Sequence, residues 1–367
     1  MPKFFKKIQS KYPLRTVIAS ALLIVVLIGA FIIVSLNTSK EEKSNELPLQ
    51  EGQDWYDALT KKSTSELWNA FRSEERGTEK MFFIESFLSE KLNAERESEV
   101  YNKISKVLAD SKESLETKEN LLVILGGAES LQALKILLDF RKVASDASLK
   151  ESAATAIGKM GNSRYTGDFV EELSPLLEET WRNSEDITFF PTLASTLARV
   201  GAPSGVELLI SDVRKIGNTI QYLEQWKNST ERFEKNDIEN VKILSAAAAL
   251  TKISNTHALS TLERGLGNQS PDNFELFISG AIMMNMGRPE ATQAVLDWAY
   301  QREDNVSSLI SLWFPEVRDL ASLRVLMNAE EKRFVNQANK DAVQEVLERH
   351  YIAHSISEGE KTRIKQG

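Results

Sequence analysis

Between residues 116 and 300 the chain is interrupted at Gly126, Gly161, Gly201, Ser254 and Gly287, and the residues around these five points repeat. Four positions before them stand Leu122, Ile157, Leu197, Leu250 and Met283, and one position before stand Leu125, Met160, Val200, Ile253 and Met286. Eight positions after stand Leu134, Phe169, Leu209, Leu262 and Val295. Three columns are therefore apolar in every copy. Apolar residues at three- and four-residue steps specify helices, and strand-like alternation is nearly absent from Trp55 onward. A glycine that can adopt a left-handed cap ends one helix and lets the next fold back antiparallel. Pro203 and Pro289 fall where a first-turn proline is tolerated, because that position needs no backbone donor.

The steps between the turns are 35, 40, 53 and 33 residues, close to two-helix repeat lengths except for the third. The excess is assigned to an insertion at 216–240, IGNTIQYLEQWKNSTERFEKNDIEN, ahead of an alanine-rich helix over 245–250. Small residues in the first helix of a pair, Ala153, Ala154 and Ala156 in one copy and Ala246 to Ala249 in another, allow close helix approach. Upstream, Thr78 is placed as an N-cap, followed by an apolar stripe of Phe82, Phe83, Phe87, Leu88 and Leu92.

This pattern of apolar-Gly turns flanked by Ala- and Leu-rich helices resembles the HEAT-repeat family, in particular its short bacterial variety related to the phycobilin-lyase type repeats. The resemblance covers residues 116–300. It implies an α-solenoid whose second helices line a concave side, and it implies no particular activity.

A second feature sits ahead of the repeats. Val17 to Leu36 reads VIASALLIVVLIGAFIIVSL, twenty residues without a charge. A helix of that length spans roughly 30 Å of hydrocarbon. Lys3, Lys6, Lys7, Lys11 and Arg15 precede it with no acidic residue, which predicts a cytoplasmic N-terminus. A cleaved signal peptide has an apolar core of only about 7 to 15 residues and a small-residue cleavage site. The longer run here, with no A-x-A pattern after it, predicts an uncleaved anchor in the lipid bilayer. With the five leader cations set aside, 40 Lys and Arg face 53 Asp and Glu, a formal charge of −13. That balance disfavours a nucleic-acid partner.

Chemistry has few candidate parts. The chain has no cysteine and only three histidines, and no G-x-S-x-G, P-loop or H-E-x-x-H string occurs. No catalytic, cofactor or metal site is assigned. His350 and His354 share a helix face at i,i+4 but lack an evident third ligand. His257 reads as a helix-start surface residue. Glu171-Glu172 and Glu178-Glu179 read as solvated helix faces. Asn228-Ser229-Thr230 fits a glycosylation acceptor, relevant only in a eukaryotic secretory pathway. Trp298 and Trp313 have apolar surroundings and are expected in the core, whereas Trp181 and Trp226, in polar connections, stand equally as core or as partner contacts.

The expected fold is all-α: one N-terminal transmembrane helix, then an α-solenoid of HEAT-like helix pairs. Its expected divisions are a basic leader 1–16, the span 17–36, a flexible tether 37–54, an N-terminal helical region 55–115, the repeats 116–300, C-terminal helices 301–354 and a polar tail 355–367. The expected function is a scaffold, not an enzyme, that presents an acidic solenoid to a protein partner on the non-cytoplasmic side, periplasmic in a bacterium. A type II membrane enzyme of lyase or transferase kind and a self-associating envelope component are the alternatives. The register places Glu171, Glu207, Arg264, Asp297 and Gln293 on the outward side of the second helices, as candidate partner-binding residues, with Trp226 in the insertion.

Overall fold

A computed structural model describes residues 56–75, 78–95, 98–160, 167–215, 235–267, 274–314, 320–329 and 332–366, with side chains of 167–169, 235–237 and 366 left aside. The expected span 17–36, the tether, Gly161 and residues 216–234 of the insertion, with Trp226 and Asn228, lie outside the described residues. No helix among the described residues is long and apolar enough to cross a membrane.

Among the described residues the chain is helical throughout, with no strand. The helices are α1 (Thr64–Ser73), α2 (Glu79–Ala94), α3 (Glu99–Ala109), α4 (Leu115–Ala128), α5 (Leu131–Val143) and α6 (Ala147–Lys159). There follow α7 (Gly167–Asn183), α8 (Phe190–Val200), α9 (Pro203–Val213) and α10 (Lys235–Leu250). After a 3-10 turn at Thr256–Ala258 come α11 (Leu259–Gly267), α12 (Phe274–Asn285), α13 (Pro289–Tyr300), α14 (Ser307–Trp313), α15 (Leu320–Ala329), α16 (Gln337–Ala353) and α17 (Glu358–Gln366). Their starts are written locally. Ser63, Thr78, Ser98, Ser114, Ser130, Asp146 and Asn336 each accept a backbone N–H of the first turn that has no partner inside the helix. Ser63 and Glu66 complete a reciprocal capping box. Pro203 and Pro289 stand at the first helical positions, as expected.

Packing follows a simple order. Through most of the chain a helix touches its successor and also the helix after that: α2 packs on α4, α4 on α6, α6 on α8 and α8 on α10, while α3 packs on α5, α5 on α7, α7 on α9, α9 on α11, α11 on α13 and α13 on α15. The three apolar columns supply these interfaces. All fourteen of their described members are buried, and only Phe169, whose side chain is not described, escapes the test.

Between α6 and α13, side chains also donate to backbone carbonyls of a neighbouring helix pair. Arg199 Nη1 reaches Gly158 O at 2.9 Å, Asn255 Nδ2 reaches Val200 O at 2.9 Å, Asn285 Nδ2 reaches Thr251 O at 2.6 Å and Arg288 Nε reaches Ser254 O at 3.2 Å. Gly158 and Val200 are in the last turns of their helices, where carbonyls have no intrahelical donor, and Thr251 and Ser254 lie in the connection after α10. Near the C-terminus, Asn339 is fully buried, accepts Val306 N at 2.8 Å and donates to Asp304 O at 3.1 Å. Asn339→Leu leaves the Val306 amide buried and unpaired, so it is expected to cost about 2 kcal/mol in a urea titration.

Several sequence expectations need correction. Gly201 (φ +68°) and Gly287 (φ +62°) do close their helices in the left-handed region. Gly126 does not. It lies inside α4, which runs on to Ala128 and is closed by Glu129 at φ +48°. Gly126 is small for another reason: a Cβ there would lie 2.9 Å from Ala156 Cα, so it sets the approach of α4 and α6. The buried stripe of α2 is Met81, Ile84, Leu88 and Leu92, and Phe82 is 66% exposed, because aromatic size had outweighed the 3.6-residue period. Residues 235–240, assigned to the insertion, begin α10, and 358–366 of the expected polar tail form α17, which packs on α15 and holds Arg324 Nε at Ile364 O, 2.7 Å away.

Candidate functional site

The second helices α7, α9, α11 and α13 follow one another in contact, and polar residues stand outward on each, at one-turn spacing on α9, α11 and α13. Glu171, Glu207, Ser211, Ser260, Arg264 and Asp297 are exposed, and Gln293 is half-buried. These residues do not all stand free. Arg264 forms an ion pair with Glu207 from the preceding pair of helices, and Gln293 Nε2 donates to Asp297 Oδ1 at 2.8 Å within α13. Glu171 is exposed on α7.

Where α11, α13 and α15 adjoin, a shallow open groove of about 450 Å³ is formed. Glu263, Glu290, Gln293 and Asp297 supply its polar lining, and Pro289, Ala294 and Val325 its apolar part. Three carboxylates around an apolar strip suit a cationic side chain with a hydrocarbon stem, which can lay its methylenes on the strip and its charge among the acids. Glu263 and Glu290 were not singled out in the sequence. The register at positions six and ten selects one side of a single helix, whereas a groove between helices also draws on position nine of one and position three of the next. Near Asp297, burial and then the Asp297 charge push the Tyr300 phenol up to about 12.

The remaining candidates have other roles. Trp181 is a core residue: it is fully buried, donates Nε1 to Asp212 Oδ2 at 2.7 Å and meets the Phe190 ring edge-on with centroids 5.4 Å apart. Lys242 lies over the Trp181 ring at 5.2 Å, and its partial burial lowers its pKa. Glu178, read as solvated, is buried and accepts from Ser174 Oγ at 2.7 Å, Ser204 Oγ at 2.6 Å and Arg182 Nη2 at 3.1 Å. It ties α7 to the start of α9. Trp313 is buried and Trp298 half-buried, their rings 5.5 Å apart, as expected for core residues.

The His350 and His354 rings lie 4.4 Å apart, tilted by 39°, and no group of three or more metal-ligating side chains occurs among the described residues. His257 is half-buried in the 3-10 turn, its backbone N–H donating to Asn255 Oδ1 at 3.1 Å. No protein-family model matches the chain, and no curated protein aligns with it. The function therefore rests on the geometry.

Proposed function

We propose that the chain is a membrane-anchored scaffold: an α-solenoid of HEAT-like helix pairs, held by the apolar run Val17–Leu36, that offers its second-helix row and the acidic groove on it to a protein partner on the non-cytoplasmic side. The observation that carries the binding surface is the groove at α11, α13 and α15, where Glu263, Glu290 and Asp297 surround an apolar strip. The solenoid reading is supported by the packing of helices on their next-but-one neighbours and by hydrogen bonds between successive pairs. Helix pairs stacked in that way bury a continuous core and leave one long face for binding. The twenty uncharged residues and the basic leader support the anchor.

The partner should present a basic surface. Reversing Glu263, Glu290 and Asp297 to lysine in the full chain is expected to slow association about tenfold or more and to abolish its salt sensitivity, with helical content unchanged. Glu171 belongs to the same row and should add a smaller effect. Reversal of Glu207 should act mainly by repelling Arg264. Association that keeps its rate and salt dependence in the triple variant removes the groove as the binding surface. The anchor is tested separately: reporter fusions after Asp54 should be active only on the non-cytoplasmic side, and the mature chain should keep its first 36 residues.

A further inference from the structure

The chain is acidic, yet one edge of the helix row α6, α8, α10 and α12 is basic. Lys159 and Arg199 lie in the last turns of α6 and α8, Lys252 just beyond α10, and Arg288 at the N-cap of α13, after α12. The first three occupy one column of the repeat, two residues before Gly161, Gly201 and Ser254, while Arg288 follows Gly287.

Their contacts put the four in sequence along the edge. Arg199 bonds to the carbonyl of Gly158, next to Lys159. Lys252 Nζ donates to Ser195 Oγ at 2.7 Å, one turn from Arg199. Arg288 bonds to Ser254 O, two residues from Lys252. Partial burial, then the neighbouring Arg199 charge, lowers the Lys252 pKa, so the two cations feel each other. None of the four forms an ion pair among the described residues, and the connections 201–202, 251–255 and 286–288 hold no carboxylate. Helix C-termini account for part of this at Lys159, Arg199 and Lys252, since each end carries about half a negative charge that a cation balances, whereas Arg288 stands at the N-terminus of α13.

We infer that this edge docks an extended acidic segment of a partner protein, one carboxylate to each helix. The packed neighbours α6, α8 and α10 stand about 8 to 10 Å apart, and three residues of extended chain cover about 10 Å, so a segment with Asp or Glu at every third residue matches Lys159, Arg199 and Lys252, with Arg288 beyond them. The Ser195 hydroxyl and the Gly158 and Ser254 carbonyls hold three of the cations in place before the ligand arrives, which lowers the ordering cost of binding. An anionic bilayer is the competing anion. It asks for charges spread over a plane, whereas these lie in one column.

The test uses the full chain in neutral detergent and a fluorescent peptide of four Glu-Gly-Ser repeats. A second peptide has the same composition with its glutamates in one block, and vesicles of phosphatidylglycerol form a third arm. The spaced peptide should bind at low ionic strength and more tightly than the block. Lys159→Gln, Lys252→Gln and Arg288→Gln together should weaken it roughly tenfold. The pair Lys159→Gln and Arg288→Gln, which spares the bond to Ser195, should lose part of that if the triple variant folds poorly. Equal affinity for the two peptides, no loss in either variant, or binding to the vesicles without binding to the peptide overturns the inference.

Discussion

Trp181→Ala is expected to lower stability by about 3 to 5 kcal/mol, measured as a shift of the denaturant midpoint. The indole is fully buried between α7 and α8, against Phe190, and its removal leaves a cavity that the surrounding helices can only partly fill. It also takes the Nε1 donor from Asp212, whose carboxylate is buried and then depends on Lys215 Nζ at 3.0 Å. Trp181→Phe separates the two contributions. It keeps a ring for Phe190 and Lys242 but drops the hydrogen bond, so about 1 to 3 kcal/mol should be lost. An unchanged midpoint in the alanine variant would place Trp181 on a solvent-facing surface, which is the role its polar flanks had left open.

That flank is instructive about what a sequence conveys. TWRNSED ends a helix, and helix ends are polar because their last carbonyls meet water, so the local composition reports on the end and not on the tryptophan. Its burial is decided by Asp212 and Phe190, 31 and 9 residues away, and no local pattern encodes such a pairing. The columns around the turns were legible because each is set by helix periodicity and a turn within about a dozen residues, and all their described members are buried. Phe82 was misread for a related reason: four apolar letters close together hid which of them kept the period, and Met81 and Ile84 did.

In the candidate site, exposure of Glu171, Glu207, Arg264 and Asp297 follows from register alone. The pairing of Glu207 with Arg264 does not, since the insertion separates them by 57 residues in sequence. Nor does the groove, which belongs to three helices at once.

Gly126→Val is expected to be nearly as damaging, at about 3 kcal/mol, and it tests how glycine is used in this fold. At Gly201 and Gly287 glycine serves a positive φ, whereas Gly126 has helical backbone and is small because α6 passes against it. A Cβ at residue 126 would lie 2.9 Å from Ala156 Cα and 3.0 Å from both its Cβ and its carbonyl oxygen. Two of those atoms are backbone, so relief requires the helices to separate, with loss of packing along the whole α4 to α6 interface.

Alanine presents two opposing effects at this position. It raises helix propensity by about 1 kcal/mol over glycine, and it meets a contact that costs about 1 to 3. The contact should win, making Gly126→Ala destabilising by about 1 kcal/mol, in contrast to Gly359→Ala in α17, where no atom lies within 4 Å of the new Cβ and only the gain remains. Because the obstruction is mainly backbone, adding Ala156→Gly should restore little of the loss, and a double-mutant cycle in urea should give a small coupling. Full rescue by Ala156→Gly would mean that the two side chains alone set the helix spacing. A neutral Gly126→Val would mean that α6 does not pass against residue 126.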